Sequence, residues 1–104
     1  MINVLKDKNK IRITGHSDYA VKGKDIVCSS VSSIFITTVN AILKFNDKAL
    51  TYNRYDDKKD DNNDYSEIIL HSDDDITNKL INNMMELFYD LSKQYPKDII
   101  VKEI

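Results

Sequence analysis

The amino-acid sequence predicts an α+β fold with the element order ββαββαβ, in which a small sheet carries two helices packed on one face. Two segments place apolar residues three or four positions apart, as one face of a helix does, and five shorter segments have the composition of strands. The chain has 104 residues, 41% of them hydrophobic, which suits one modest core. We therefore expect residues 1–104 to form a single domain.

The strands are predicted from alternating apolar residues and from the polar segments between them. Ile2 and Val4 alternate with polar residues in the first strand. Ile11 and Ile13 do the same in the second strand, so these two strands are expected to form a hairpin. A second strand pair flanks the acidic segment 56–64, interpreted as a solvated loop because it lacks the glycine and closing glutamate of a calcium-binding loop. The predicted strands are residues 2–5, 11–14, 49–55, 65–71 and 98–102.

The first helix is predicted over residues 26–45. Valine, isoleucine and threonine are frequent there and favour a strand by propensity, but twenty residues exceed the length of an ordinary strand. Asp25 is the predicted N-cap. The apolar residues at helical spacing are Cys28, Val31, Phe35, Val39 and Ile42.

The second helix is predicted over residues 72–95, with Ser72 as its N-cap and Pro96 just beyond its end. Residues 73–75 are all aspartate and would place negative charge at the positive end of the helix dipole. Its predicted apolar face comprises Ile76, Leu80, Met84, Leu87 and Leu91.

Charge and cysteine content limit the expected partners and compartment. Fifteen basic and seventeen acidic residues give a net charge of −2, so free nucleic acid is not expected as a partner. No segment is expected to cross a membrane, and the N-terminus lacks the features of a secretory signal. A single cysteine cannot form an intramolecular disulfide, so we expect a cytoplasmic protein. Four basic residues of the first hairpin are interpreted as a solvated surface rather than as an RNA-binding stripe: Lys6, Lys8, Lys10 and Arg12.

Cys28 is the candidate nucleophile because it is the only thiol in the chain. It also shares the apolar stripe of the first helix, so a small buried hydrophobic residue is the competing interpretation. If Asp25 is the N-cap, Cys28 lies in the first turn, where the helix dipole favours a thiolate by about 0.3–1 kcal/mol. Stronger activation requires an imidazolium, and His16, twelve residues earlier and directly after Gly15, could supply it.

Other polar residues near the candidate nucleophile have more than one possible role. Asp25 either caps the helix or orients the imidazole of His16, and one carboxylate cannot easily do both. Ser32 lies one turn beyond Cys28, where its hydroxyl could contact the thiol or a bound peptide. His71 is interpreted as a surface residue. The two histidines and the cysteine lack the close ligand pairs of zinc sites, so neither a metal nor another cofactor is expected.

Two segments resemble the ribosomal-processing cysteine protease family (Prp). Residues 15–17, Gly-His-Ser, are similar to the family's G-H-A element, and residues 23–32, Gly-Lys-Asp-Ile-Val-Cys-Ser-Ser-Val-Ser, are similar to its G-x-D-I-V-C-A-A-V-S segment. The twelve-residue separation of histidine and cysteine also matches, as does a Tyr-Pro pair at 95–96. Serines replace three of the family's alanines, which bears on substrate fit, and the acidic loop is longer than the family plan.

This resemblance implies an α+β homodimer that acts as a cysteine endopeptidase and removes a short N-terminal extension from a large-subunit ribosomal protein during ribosome assembly. It implies that Cys28 is the nucleophile and His16 its general base and acid. It also implies that Gly23 belongs to a loop over the active site, and that Asp25 and Ser32 occupy motif positions. Backbone N–H groups at the start of the helix, including that of Cys28, are candidates to stabilise the oxyanion.

The alternative is a non-catalytic dimeric interaction module that binds a ribosomal protein or an assembly factor through its sheet. In that case Cys28 is only a packing residue. The sheet face opposite the helices would be covered by water or by a second subunit, and Tyr52, Tyr55 and Tyr65 are available for such a face.

Overall fold

The computed structural model describes residues 1–15, 22–56, 58–59 and 64–104, and it describes the side chains of the first helix from Ile26 onward. Its elements follow the order ββαββαβ, and both helices pack on one face of a five-stranded sheet, which confirms the predicted α+β fold. The strands are β1 (Ile2–Asp7), β2 (Lys10–Thr14), β3 (Leu50–Tyr55), β4 (Tyr65–Leu70) and β5 (Ile99–Glu103). The helices are α1 (Lys22–Phe45) and α2 (Asp75–Gln94).

The strand order across the sheet is β3-β4-β2-β1-β5. β1 and β2 form the predicted antiparallel hairpin, and β4 pairs antiparallel with both β2 and β3. β5 joins the other side of β1 in parallel. It follows that β2 and β3 run in the same direction, as do β4 and β5. Each of these two pairs is connected through one helix, because strands that run in the same direction need a crossover.

The α1 helix packs most of its predicted apolar face into the core. Val31, Phe35, Val39 and Ile42 are all buried, together with Val27. Burial of this stripe outweighs the strand propensity of its β-branched residues, because propensity differences between residues are smaller than the gain from burying several side chains. The helical interpretation of this segment is therefore confirmed.

One property of α1 differs from the sequence-based expectation about membranes. Residues Ile26–Phe45 have a mean hydropathy of 1.9, so by length and composition this helix is apolar enough to cross a membrane. A helix that contributes a central stripe to a protein core is apolar for the same reason. The buried stripe accounts for only part of this hydropathy, because 33% of the apolar window is buried and Ile26, Ile36 and Phe45 are exposed.

The face that α2 buries overlaps the predicted one only in part, since Met84 is buried and Leu80 and Leu91 are partly buried against the core. Ile76 is 42% exposed and Leu87 is 39% exposed, whereas Phe88 is fully buried. The helix carries two neighbouring apolar stripes that share Met84, and it is the second stripe that packs in the core. The buried residues are Thr77, Ile81, Met84, Met85 and Phe88.

The start of α2 is also shifted relative to the prediction. The helix begins at Asp75 with Asp74 at the N-cap, so the prediction of Ser72 as the cap is wrong. Ser72 instead donates a hydrogen bond to Oδ1 of Asp74 over 2.9 Å. Serine and aspartate are both good caps, and residues 72–75 are all of these types, so their identity does not select the first helical residue.

The face of the sheet opposite the helices, here called the outer face, carries two of the three tyrosines predicted for it. Tyr55 and Tyr65 are paired across β3 and β4 and stack with ring centroids 5.3 Å apart. Tyr52 lies on the helix side instead, 5.9 Å from the ring of Phe35, so its assignment to the outer face is wrong. The alternation of β3 dictates this, because residues 52 and 55 are an odd number of positions apart and point to opposite faces.

Arg12 is held on the outer face by neighbouring side chains. Its Nε donates to Oε2 of Glu67 over 2.7 Å, and its guanidinium lies 4.2 Å from the ring centroid of Tyr65. Glu67 is the residue paired with Arg12 across β2 and β4, and its side chain is mostly buried. These contacts neutralise one of the four basic residues of the hairpin, which weakens the case for an RNA-binding stripe.

Candidate active site

A pocket of about 150 Å³ brings three of the predicted site residues together. Gly15 lines it just after β2, and Cys28 and Ser32 line it from successive turns of α1. Both candidate interpretations of Cys28 capture part of its environment. Its side chain is partly buried against the hydrophobic core, and it also lines a pocket that opens to solvent.

The α1 helix begins at Lys22, one turn earlier than predicted. Asp25 is therefore inside the helix, and its prediction as the N-cap is wrong. Gly23 lies in the first turn of α1, so the expectation that it belongs to a loop is also wrong. An aspartate is favourable both at the N-cap and within the first turn, where its charge interacts with the helix dipole, so its presence does not fix the boundary. A role for Asp25 in orienting a histidine stays a prediction.

The earlier start of α1 changes the electrostatics at Cys28. Cys28 is the seventh residue of the helix and lies in its second turn, beyond the region where the dipole favours an anion most. Only the first four N–H groups of a helix lack intrahelical partners. In this structure the N–H of Cys28 is consequently an intrahelical donor, and the expectation that it stabilises an oxyanion is wrong.

Gly15 occupies a position that only glycine fits. Its φ is +84°, which L side chains rarely adopt, and a Cβ built there would collide with the carbonyl oxygen of Met1. Its N–H donates to the carbonyl oxygen of Asp64 over 3.4 Å. Gly15 thereby lets the end of β2 pass close to the first residue of the chain at the edge of the pocket.

The predicted partner of Cys28 cannot be placed as directly. His16 lies outside the described residues, so its distance to the thiol stays a prediction. His71 is exposed, as expected, and its Nε2 is 2.6 Å from the hydroxyl of Thr51. It lines a separate pocket near the start of α2, so among the described residues it is not a partner for Cys28.

Three polar residues of the pocket were not predicted from the sequence. Arg54 lines it from β3, and its Nη1 donates to the hydroxyl of Ser66 over 2.9 Å. Its Nε also donates to Oδ1 of Asp56 over 2.9 Å. Asp64 and Ser66 line the pocket from the start of β4. A usable signal was present, because Arg54 continues the alternation of Leu50 and Tyr52 on the side of β3 that faces the helices, and an arginine on that side of a strand needs an explanation.

The remaining walls of the pocket are apolar. β1 and β2 contribute one isoleucine each, and α1 contributes two residues that flank Ser32. A cavity of this volume holds about one ring-sized group. These apolar residues are Ile2, Ile13, Val31 and Phe35.

Comparison with known proteins identifies the family. Residues 1–100 match the family described as Cysteine protease Prp. The chain belongs to this family of cysteine proteases. The resemblance inferred from the histidine and cysteine motifs is thereby confirmed. No curated protein sequence matches the chain.

Solved structures with the same fold include Prp proteases. The ribosomal processing protease Prp from Staphylococcus aureus, in complex with a covalently linked product peptide, is 21% identical with a TM-score of 0.77, and both chains are covered over 100% of their length. The same protease in complex with a substrate peptide is 17% identical with a TM-score of 0.74, covering 99% of this chain and 97% of that one. SMU.848 from Streptococcus mutans is 24% identical with a TM-score of 0.77, covering 99% and 91%.

Proposed function

We propose that this chain is a cysteine endopeptidase in which Cys28 and His16 form the catalytic dyad. The pocket carries this proposal, because Cys28 lines it from α1 and Gly15, which directly precedes His16 in the sequence, lines it from the end of β2. Membership of the Prp family supports the class of chemistry. Gly15 of the first motif and Cys28 and Ser32 of the second line the same small cavity, which supports a dyad at this place.

The substrate we propose is the N-terminal extension of a large-subunit ribosomal protein, removed in the cytoplasm during ribosome assembly. The support is the resemblance of the sequence motifs to the Prp family. The Staphylococcus aureus protease of the same fold is a ribosomal processing protease and has been observed with substrate and product peptides. In the present chain the pocket holds about one side chain, so the rest of an extended peptide would lie along its rim.

The proposed reaction has two steps, acylation of Cys28 by the peptide and hydrolysis of the resulting thioester. The Cys28 thiolate attacks the scissile carbonyl carbon, a carbon–sulfur bond forms, and the carbonyl electron pair moves onto oxygen. When that intermediate collapses, the carbon–nitrogen bond breaks and the amine leaves with a proton from the His16 imidazolium. Water, deprotonated by His16, then attacks the thioester. The carbon–sulfur bond breaks, the shortened acid is released, and the thiolate is restored.

The test of the dyad is cleavage of a synthetic peptide that spans the junction between the extension and the mature ribosomal protein, followed by mass spectrometry. Cys28→Ala should abolish cleavage, and His16→Ala should lower its rate by at least about 10³-fold. His71→Ala is the matched control, since the chain has two histidines, and it should cleave at the wild-type rate. Undiminished cleavage by the cysteine or the His16 variant contradicts the proposal.

Alkylation separates the protease from the interaction module. Cys28 is the only cysteine, so the intact mass after iodoacetamide treatment reports on this thiol alone. We expect labelling below neutral pH that slows in His16→Ala and not in His71→Ala, because an imidazolium maintains the thiolate. If neither histidine variant changes the rate of labelling and the wild type leaves the junction peptide uncleaved, Cys28 is a packing residue and the chain acts by binding.

We also infer that the protein is a homodimer through the outer face of the sheet. Apolar side chains remain accessible there on β1 and β5, where Leu5 is 37% and Ile100 is 36% exposed. Leu5→Lys should convert dimer to monomer in analytical ultracentrifugation, because a desolvated lysine opposes the interface. Ile36→Lys, on the exposed side of α1, is the control and should stay dimeric. Dimers of both variants would place the interface elsewhere.

A further inference from the structure

The proposed reaction requires a donor that the main chain beside the nucleophile does not supply. The negative oxygen formed when the thiolate attacks must be stabilised by hydrogen bonds or charge, which is commonly the largest single contribution to such catalysis. In this structure the N–H of Cys28 lies beyond the first turn of α1 and is used within the helix. The donor must therefore come from another part of the pocket.

Arg54 is placed to fill this role. Among the described residues that line the pocket it is the one cation, and it approaches from β3 while Cys28 approaches from α1. A cavity of about 150 Å³ is small enough that groups on its opposite walls can contact the same bound group. The guanidinium has five N–H donors, more than the two bonds to Asp56 and Ser66 use.

The surroundings of Arg54 favour a fixed and effective donor. The bonds to Ser66 on β4 and Asp56 after β3 hold two different nitrogens of the planar group, which limits its rotation. Its side chain is 42% exposed in the free protein, so solvent screens its charge there. A bound peptide would cover that opening, and the ion pair of Arg54 with Asp56 would then lie beside the apolar residues Ile13 and Phe35, where solvent screens its interactions less.

We propose that Arg54 is a catalytic residue whose guanidinium donates a hydrogen bond to the oxyanion in both tetrahedral intermediates. This inference depends on the proposed cysteine protease function. As the carbon–sulfur bond forms, the carbonyl electron pair moves to oxygen, and Arg54 stabilises that charge without transferring a proton. When the carbonyl reforms, the pair returns and the hydrogen bond weakens. Ser66 and Asp56 act as positioning residues for the guanidinium.

The experiment compares four proteins on the junction peptide: wild type, Arg54→Gln, Arg54→Lys and Arg12→Gln. The chain has two arginines, and Arg12 lies in an ion pair on the outer face, so it is a matched control. Arg54→Gln should lower kcat by about 10²–10³-fold with little change in KM, because the lost interaction forms only in the transition state. Arg54→Lys should recover part of kcat, and Arg12→Gln should retain it.

A second measurement separates transition-state stabilisation from ordinary substrate binding. The Kd of the uncleaved junction peptide is measured for Cys28→Ala with and without Arg54→Gln. We expect equal values, since the carbonyl oxygen of the bound peptide carries no full charge. Weaker binding by the same factor as the loss of kcat would overturn the proposal, because Arg54 would then recognise the ground state.

Other outcomes assign a failure to one of the two proposals. An unchanged kcat in Arg54→Gln, or an equal loss in Arg12→Gln, overturns the role of Arg54 while the protease remains established by Cys28→Ala. Absence of cleavage by the wild type overturns the proposed function and this inference together. Circular dichroism of each variant at the assay temperature identifies any loss that comes from unfolding.

Discussion

Replacing Gly15 with alanine should destabilise the fold, whereas the same replacement at Gly23 should not. These are the two glycines of the chain, so they form a matched pair. Gly15 has a φ of +84°, and a Cβ there would collide with the carbonyl oxygen of Met1. Gly23 lies in the first turn of α1, where alanine adopts the same backbone conformation without strain.

The expected magnitudes follow from these two backbone conformations. An alanine held in a left-handed conformation costs about 1–2 kcal/mol. The collision at Gly15 adds to this, because the Met1 carbonyl belongs to the main chain and cannot rotate away as a side chain would. Gly15→Ala should therefore lower the free energy of unfolding by at least about 1–2 kcal/mol, or Tm by about 4–8 °C for each kcal/mol. Gly23→Ala should raise the free energy of unfolding by up to about 1 kcal/mol.

Urea denaturation followed by circular dichroism measures both changes, with the m-value checked to confirm that the same surface is exposed. Gly15→Ala with wild-type stability would refute the left-handed conformation and the contact with Met1. A clear loss of stability in Gly23→Ala would refute the placement of residues 22–25 in α1. The second outcome would also return the N–H of Cys28 to the start of the helix and make it available to an oxyanion.

Two further predictions concern α2. Phe88→Ala should lower the free energy of unfolding by about 3–5 kcal/mol and Leu87→Ala by less than about 1 kcal/mol in the same assay. Equal losses would contradict the exposure of Leu87, and a larger loss in Leu87→Ala would mean that the helix buries the other stripe. Hydrogen bonds from Thr77 and Ser72 hold the pKa of Asp74 below its ordinary value. The stability they contribute is therefore present above that ordinary value and is lost as pH falls through the lowered pKa. Ser72→Ala should raise the pKa of Asp74 in an NMR titration, and an unchanged titration would contradict this.

The elements of the fold were largely predictable because their signals are local. Apolar residues repeat at every second position in the strands and at every third or fourth position in the helices. These repeats are visible within a short stretch of sequence for the β1–β2 hairpin, the β3–β4 pair and both helices. The candidate dyad was predictable in part for a different reason. Its motif keeps His16 and Cys28 twelve residues apart, and the structure adds that Gly15 and Cys28 line one pocket.

The boundaries and the orientation of the helices were less predictable. Residues 72–75 are all compatible with capping, so several starting residues of α2 have similar local energies. At the start of α1 the favourable cap residue Asp25 lies inside the helix, so the first turns of α1 and α2 were misplaced in opposite directions. The predicted stripe of α2 is the more apolar of the two in composition, because the buried stripe includes Thr77. Phe88 is buried and Leu87 is exposed because of how α2 packs against the sheet and α1. The residues of α2 alone carry no information about that packing.

Periodicity and short motifs are properties of neighbouring residues, so the amino-acid sequence was sufficient to assign the helices and strands, the family and the single thiol. Only the tertiary structure decided that Arg54 and Ser66 line the pocket with Cys28, and that Tyr52 faces the helices. The contact of Arg54 with Ser66 joins residues 12 positions apart, and that of Phe35 with Tyr52 joins residues 17 positions apart. Such contacts depend on strand register and helix packing, which are settled by burial of the whole core at once.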